Sequence, residues 1–236
     1  MKFLLNEGGL AGHLNHIYDN TDLTFAEIKD IFTKASGGEI LGTEKTDGQN
    51  IFLSYSVKDG QAKAVRNKGN IKTGGLNAQA LAAKFSGRGN LTDSFTNAFQ
   101  TWENVVSKLS PKDQIIIFGE DAEIYYNAEI QDPGTANVIN YDTRNLVLHP
   151  TGHAAFDRIS GVIKDLDVQS NYQILANLID KTQKANTQNF RLINNAVKAL
   201  KGLDDKRPLI VATQKIDNLI QKAGLSDSSS IEDLLI

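Results

Sequence analysis

Residues 50–66 constrain the fold more than any other part of the chain. Asn50-Ile51-Phe52-Leu53-Ser54-Tyr55-Ser56-Val57 reads as a strand. Lys58-Asp59-Gly60-Gln61 follows as a hairpin turn, because Asp-Gly favours the backbone angles such turns need. Residues 62–66 return as a second strand, and a Gly-rich loop, 67–75, comes next. An antiparallel hairpin this early, with helical patterns on both sides, predicts an α+β protein.

The flanking segments carry their own signals. Thr24-Phe25-Ala26-Glu27 is a capping box that opens a helix with Phe25, Ile28, Ile31 and Phe32 on one face. That helix is expected to end at Ser36-Gly37-Gly38, before a short strand over 40–44. Residues 77–85 and 92–109 read as helices, the longer with Phe95, Phe99, Trp102, Val105 and Val106 at core spacing. Ile115-Ile116-Ile117-Phe118 reads as a strong strand, and 122–130 as another. A turn at Asp132-Pro133-Gly134 leads to short strands at 138–141 and 146–149. The pattern changes near residue 155. From 169 to 236 it is helical and polar, with one stripe at Leu175, Leu178 and Ile179. Leu192, Ile193, Val197 and Leu200 form a second stripe, and Ile216, Leu219 and Ile220 a third. Two segments are expected: a core over 1–155 and a helical remainder or insertion over 156–236.

Composition narrows the chemistry. The chain has no cysteine, which excludes disulfides, thiolate metal sites and a Cys nucleophile. No stretch approaches the roughly 18 apolar residues that cross a bilayer, so no membrane partner is expected and the cytoplasm is the expected compartment. The formal net charge is -3, so any nucleic-acid contact must come from a local basic patch rather than from the global field.

Lys45 is the candidate nucleophile. It sits on a tight turn after a strand, in Glu44-Lys45-Thr46-Asp47-Gly48, and Gly48 permits close backbone approach. A lysine amine attacks an electrophile only when neutral. Lys45-Thr46-Asp47-Gly48 also suits an ordinary hairpin loop with solvated charges. Arg66 and Lys68 flank the next loop, and two acids, Glu120 and Glu129, stand near strand ends further on. His13 and His16 are three apart without an acidic or third histidine partner, so they carry no metal assignment.

Glu44-Lys45-Thr46-Asp47-Gly48-Gln49-Asn50, then a hairpin ending Arg66-Asn67-Lys68-Gly69, resembles the adenylation domain of ATP-dependent DNA and RNA ligases and mRNA-capping enzymes. The resemblance covers roughly residues 5–150. It extends to a group of bacteriophage ligase-like proteins through Leu5-Asn6-Glu7-Gly8-Gly9 and Asn137-Val138-Ile139-Asn140-Tyr141. It implies an ATP-grasp-like nucleotidyltransferase fold with antiparallel sheets, ATP and Mg²⁺ as cofactors, and Lys45 as the residue that takes AMP. It further implies that Glu44, Asp47, Gly48, Arg66, Lys68, Glu129 and Leu148 line the nucleotide pocket, with Glu129 also holding the metal. Glu129 is preferred to Glu120 in Phe118-Gly119-Glu120. Leu148 falls where the family has an aromatic near the adenine, in a strand that here ends Leu148-His149. The implied partner is a 5′-phosphorylated strand end, RNA rather than DNA on the spacing from Glu129 to Tyr141, in a host cytoplasm if the protein is phage-encoded.

Two later family elements are missing: a Glu-Gly-hydrophobic-hydrophobic strand and a Lys-x-Lys strand. Ile159-Ser160-Gly161-Val162-Ile163-Lys164 has the outline of the first, with Ser in place of Glu. Two accounts follow: a fragment of a longer ligase, or a catalytically incomplete nucleotide-binding protein with a structural or assembly role. AMP transfer to a protein or small molecule is a third.

Overall fold

The computed structural model describes residues 17–42, 44–136, 138–149, 155–159, 169–183, 189–196 and 198–236. These group into two units: one over Glu44–Ala196, the other over the described parts of His13–Thr43 and Val197–Ile236. The fold is α+β, with antiparallel and mixed sheets and eight α-helices among the described residues.

The smaller unit begins with α1 (Phe25–Gly37). Its capping box forms as expected: Thr24 Oγ1 accepts from the Glu27 N–H, and the Glu27 carboxylate accepts from the Thr24 N–H. Such a cap contributes about 1 kcal/mol. Gly38, at φ 78°, ends the helix in the left-handed conformation. The expected strand over 40–44 is reduced to β1 (Leu41–Gly42), which pairs antiparallel with a late strand, β8 (Lys198–Ala199). Helices α7 (Arg207–Ala223) and α8 (Ile231–Leu235) complete the unit. Phe25 and Ile28 of α1 pack with Ile220 and Ile231.

The larger unit is built on β2 (Gln49–Ser56) and β3 (Gln61–Val65), the hairpin foreseen from Asp59-Gly60; Gly60 takes φ 64°. Then come α2 (Lys68–Lys72), inside the expected Gly-rich loop and capped by Asn67, α3 (Ala78–Phe85) and α4 (Asn90–Val106). The expected strand at 115–118 is instead the end of a helix, α5 (Pro111–Phe118). Ser110 caps it through the Asp113 N–H, and Pro111 occupies its first turn, where a missing N–H costs nothing. Those start signals and the Gly119 stop outweigh the strand preference of three isoleucines. After α5 come β4 (Ile124–Gln131), β5 (Asn145–Leu148), β6 (Ala155–Asp157), α6 (Gln169–Gln183) and β7 (Arg191–Asn194).

The sheet order is β3-β2-β4-β5-β7, with β6 also on β4; β5 and β7 are parallel and the other pairs antiparallel. Leu192 and Ile193, expected on a helix, are thus strand residues. Within the stretch after 156, β7 joins this same sheet, while α7 and α8 belong to the smaller unit. Leu200 lies after β8 in the smaller unit, and Val197 lies outside the described residues.

The two faces of this sheet differ. Ile51, Leu53, Ala62, Ala64, Tyr126, Ala128, Ile130, Leu146, Leu148 and Leu192 point to one side. There they pack against α3, α4, α5 and α6 through Phe85, Phe95, Phe99, Trp102, Phe118, Leu175 and Ile179. Trp102 is fully buried and donates to the Ser54 carbonyl at 3.0 Å. On the other side Phe52, Val65, Ile71, Ala122 and Tyr125 form a small cluster. Side-chain alternation along the strands puts Asn50, Asn127 and Glu129 on that same side.

Candidate functional site

The turn before β2 enters the sheet at a tight point. A Cβ on Gly48 would lie 2.6 Å from the Ile130 carbonyl oxygen, so only glycine lets the chain run this close to β4. The close approach places the Gly48 N–H 3.0 Å from Glu129 Oε2. Thr46 donates its hydroxyl to the same oxygen at 2.5 Å. Glu129 therefore grips the turn on both sides of Asp47, and Lys45 stands one residue beyond that grip.

Asp47 fixes a second segment. Its Oδ2 accepts from the Val138 and Ile139 N–H groups, both at 2.7 Å, and its own N–H donates to the Tyr141 hydroxyl at 3.0 Å. The expected strand at 138–141 is absent; this stretch is irregular, and two of its N–H groups bind a carboxylate instead of a strand. Asn137 and Pro150 lie outside the described residues.

His149 and Asn195 close the site from the far side of β4. Asn195 Oδ1 accepts from the Glu44 N–H at 3.3 Å, and its Nδ2 donates to the Glu44 carbonyl at 2.7 Å. The amide thus pairs with Glu44 as a neighbouring strand would. Asn195 Nδ2 also lies 3.3 Å from His149 Nδ1, while His149 Nε2 is 3.3 Å from Thr46 Oγ1 and 3.8 Å from Glu129 Oε1. An amide donor at Nδ1 assigns the proton to Nε2, facing Thr46 and Glu129. Burial pushes the imidazole below its usual value, against the pull of the Glu129 carboxylate. The His149 and Glu129 side chains are only 14% and 20% exposed.

The expected site residues separate into two groups. Glu44, Asp47, Gly48 and Glu129 are brought together around Lys45, which is exposed and makes no hydrogen bond or ion pair among the described residues. Glu120 lies at the other end of β2, where its carbonyl accepts from the Lys58 N–H and Asp121 bridges Ser56. Leu148 does not reach the site. It pairs with Ala128 and is buried on the helix side, because alternation turns it away from Glu129 and turns His149 toward it. Arg66 lies on the helix side as well, with its guanidinium 4.8 Å from the Phe95 ring centroid. Lys68 begins α2, and its side chain lies outside the described residues. So do His13, His16 and residues 160–164.

Sequence reasoning missed His149 and Asn195 as members of the site. His149 was visible only as a departure from the family strand ending. Nothing in the sequence links Asn195 to Glu44, about 150 positions earlier; the parallel pairing of β5 and β7 makes the link.

No group of three or more His, Asp or Glu side chains is gathered for a metal among the described residues. No helix among them is long and apolar enough to cross a membrane. Comparison with known proteins found no matching family model, no similar curated protein and no matching solved structure.

Proposed function

We propose that this chain is a ligase-like nucleotidyltransferase, on an ATP-grasp-like adenylation fold, that transfers AMP from ATP to Lys45. One observation carries the reading. Glu129 holds Thr46 and Gly48, on either side of Asp47, while Lys45 is exposed and makes no hydrogen bond or ion pair among the described residues. A turn that served only to connect strands would have no need of a carboxylate from β4 and an amide from the end of β7.

The chemistry balances simply. The Lys45 ammonium first gives a proton to solvent. The Nζ lone pair then forms a P–N bond to the α-phosphorus of ATP, the bond from that phosphorus to the bridging oxygen breaks, and pyrophosphate leaves with the electron pair. The protein's share is positioning: Glu129, Asp47 and Asn195 fix the backbone of the turn that carries Lys45. The AMP then passes to a strand 5′-phosphate, RNA being favoured over DNA by the spacing from Glu129 to Tyr141.

The donor set fits Mg²⁺ carried in on substrate phosphates and does not fit a resident cage. Glu129 Oε2 and Asp47 Oδ2 each accept two internal hydrogen bonds, which leaves Glu129 Oε1 and Asp47 Oδ1 as the oxygens to offer. Mg²⁺ commonly uses one or two carboxylates plus phosphate oxygens, and there it would offset charge on the triphosphate.

The same commitment of carboxylates favours a second reading, in which the site binds nucleotide without transferring it. Incubation with α-labelled ATP and Mg²⁺ separates the two. Transfer predicts label that survives denaturation and disappears in Lys45→Ala. Label that persists in that variant refutes the Lys45 assignment, and calorimetric binding of ATP without any label supports the second reading.

A further inference from the structure

The smaller unit carries an open groove. It lies between the last turns of α1, at Phe32, Ala35 and Ser36, and the first turns of α7, at Leu209 and Ala212, and encloses about 440 Å³. Leu200 and Leu203, on the loop after β8, form its third wall, and Lys201 stands between them. The lining side chains are apolar apart from Lys201 and Ser36. Ser36 is already committed: its hydroxyl donates to the Thr33 carbonyl at 2.9 Å, and its carbonyl accepts from the Leu203 N–H and from Lys206 Nζ, both at 2.8 Å.

The loop cannot close this space by moving inward. The Leu200 N–H donates to the Ile40 carbonyl at 3.0 Å, and the Leu203 and Lys206 bonds tie the loop to the end of α1. Between these ties the backbone already touches α1: a Cβ on Gly202 would lie 3.0 Å from the Gly37 carbonyl oxygen. Leu200 and Leu203 are therefore held at the rim, 41% and 44% exposed. Among the described residues of this unit, more large hydrophobic side chains are exposed than buried. A small unit with so thin a core is stabilised when such a patch is covered.

The same unit exposes a segment that complements the groove. Ile231 anchors α8 against Phe25, Ile28 and Ile220, while Leu235 at its other end is 71% exposed. Glu232 lies three residues before Leu235, on the same helix face. Neither the Glu232 carboxylate nor the Lys201 ammonium makes an ion pair among the described residues. An acidic and apolar helix end thus faces solvent in a unit whose apolar groove carries a free cation. Within one chain the two stay apart. α1 and α7 run antiparallel, and α8 packs where Ile28 meets Ile220, at the end away from the groove. From Ile28 to Ala35 the rise along α1 is about 10 Å, and from Ala212 to Ile220 along α7 it is about 12 Å.

We propose that the groove takes the α8 end of a second copy of this chain, with Leu235 seated between α1 and α7 and Glu232 paired with Lys201. The inserted end and the groove lie at opposite ends of one antiparallel helix pair. Two copies related by a two-fold axis therefore exchange both contacts and close as a dimer. The pairing is independent of whether Lys45 takes AMP.

The test is sedimentation equilibrium of the full chain from micromolar to submillimolar concentration, where the wild-type mass should rise from one chain to two. Leu235→Asp and Ala212→Glu should each weaken association by about tenfold or more, the scale of losing one interface anchor. An equimolar mixture of the two variants should associate more tightly than either alone, because one supplies an intact groove and the other an intact α8 end. Lys201→Glu and Glu232→Lys should each weaken association, and both changes in one chain should restore it. This charge exchange decides the matter if circular dichroism shows that Ala212→Glu has lost helix. The proposal is overturned if the wild-type chain stays monomeric throughout, if neither Leu235→Asp nor Ala212→Glu weakens association, or if the mixture gains nothing over its components. Loss in Ala212→Glu with none in Leu235→Asp gives the groove to another occupant and overturns it as well.

Discussion

The two faces of the six-stranded sheet obey different rules. The helix-covered face is packed by one buried apolar cluster that runs from Ile51 to Leu192, with the Arg66 guanidinium over its Phe85 and Phe95 rings. The opposite face near β4 and β5 is a network of amide, carboxylate, imidazole and hydroxyl groups that hold one another and a turn. The covered face is held mainly by area removed from water, a non-directional force. The polar face is held by directional bonds of which each is modest, and its purpose is geometry. Substitutions on the covered face should therefore change stability, and those on the polar face should change what Lys45 can do.

The largest expected effect is on the covered face. Trp102→Ala empties the centre of the core and removes the bond to the Ser54 carbonyl, a loss of about 3–5 kcal/mol. Urea denaturation followed by far-UV circular dichroism measures it. A loss under 1 kcal/mol would mean that α4 does not anchor the sheet.

Glu129→Ala should do the reverse. It removes the carboxylate oxygen that accepts from the Thr46 hydroxyl and the Gly48 N–H and loosens the turn that carries Lys45. Misplacing a nucleophile by about 1 Å costs on the order of a hundredfold in rate. The label-transfer rate should fall on that scale, while the urea midpoint, read by the fluorescence of Trp102, moves less than in Trp102→Ala. Unchanged labelling would remove Glu129 from the site and with it the contrast between the faces.

Gly48→Ala tests where the two regimes meet. Its Cβ would lie 2.6 Å from a backbone oxygen of β4, so the pairing of Gln49 with Ile130 must shift. The cost is about 1–3 kcal/mol, typical of overpacking, with slower labelling as well. A loss of labelling without any loss of stability would show that the turn moves independently of the sheet.

The contrast also explains what was legible in the sequence. Elements with local signals were readable: the Thr24–Glu27 capping box, the Asp59-Gly60 hairpin and the aromatic stripe of α4. Elements decided by competition or by distant pairing were not. Ile115, Ile116 and Ile117 look like a strand, but Ser110 and Pro111 start a helix that leaves Ile115 and Ile116 half-exposed. Leu192 and Ile193 join a sheet only because β5 lies beside them. The site divides the same way. Lys45, Asp47, Gly48 and Glu129 follow from motif order. Leu148 was expected in the pocket but faces the helices, while His149 faces Glu129; in a strand one residue is the difference between the two faces. Arg66 was expected to line the nucleotide pocket and lies on the face opposite Glu129 for the same reason, since its neighbours Ala62 and Ala64 point to the helices.

The smallest expected effect is a pH dependence. His149 has a folded-state value below its usual value of 6.5 because of burial, partly countered by Glu129. Between those two values the unfolded chain binds more protons than the folded one, so stability rises with pH there. The contribution is complete above 6.5 and is lost as the pH falls toward the folded-state value. His149→Gln puts an amide in place of the imidazole and removes the titrating group. The wild-type chain should lose stability on acidification from pH 7 to pH 5, and the variant should lose less over the same interval. Parallel profiles would mean that the imidazole titrates alike folded and unfolded. The polar face would then be open to water at His149, and the bonds from Asn195 and Thr46 would no longer explain how the Lys45 turn is held.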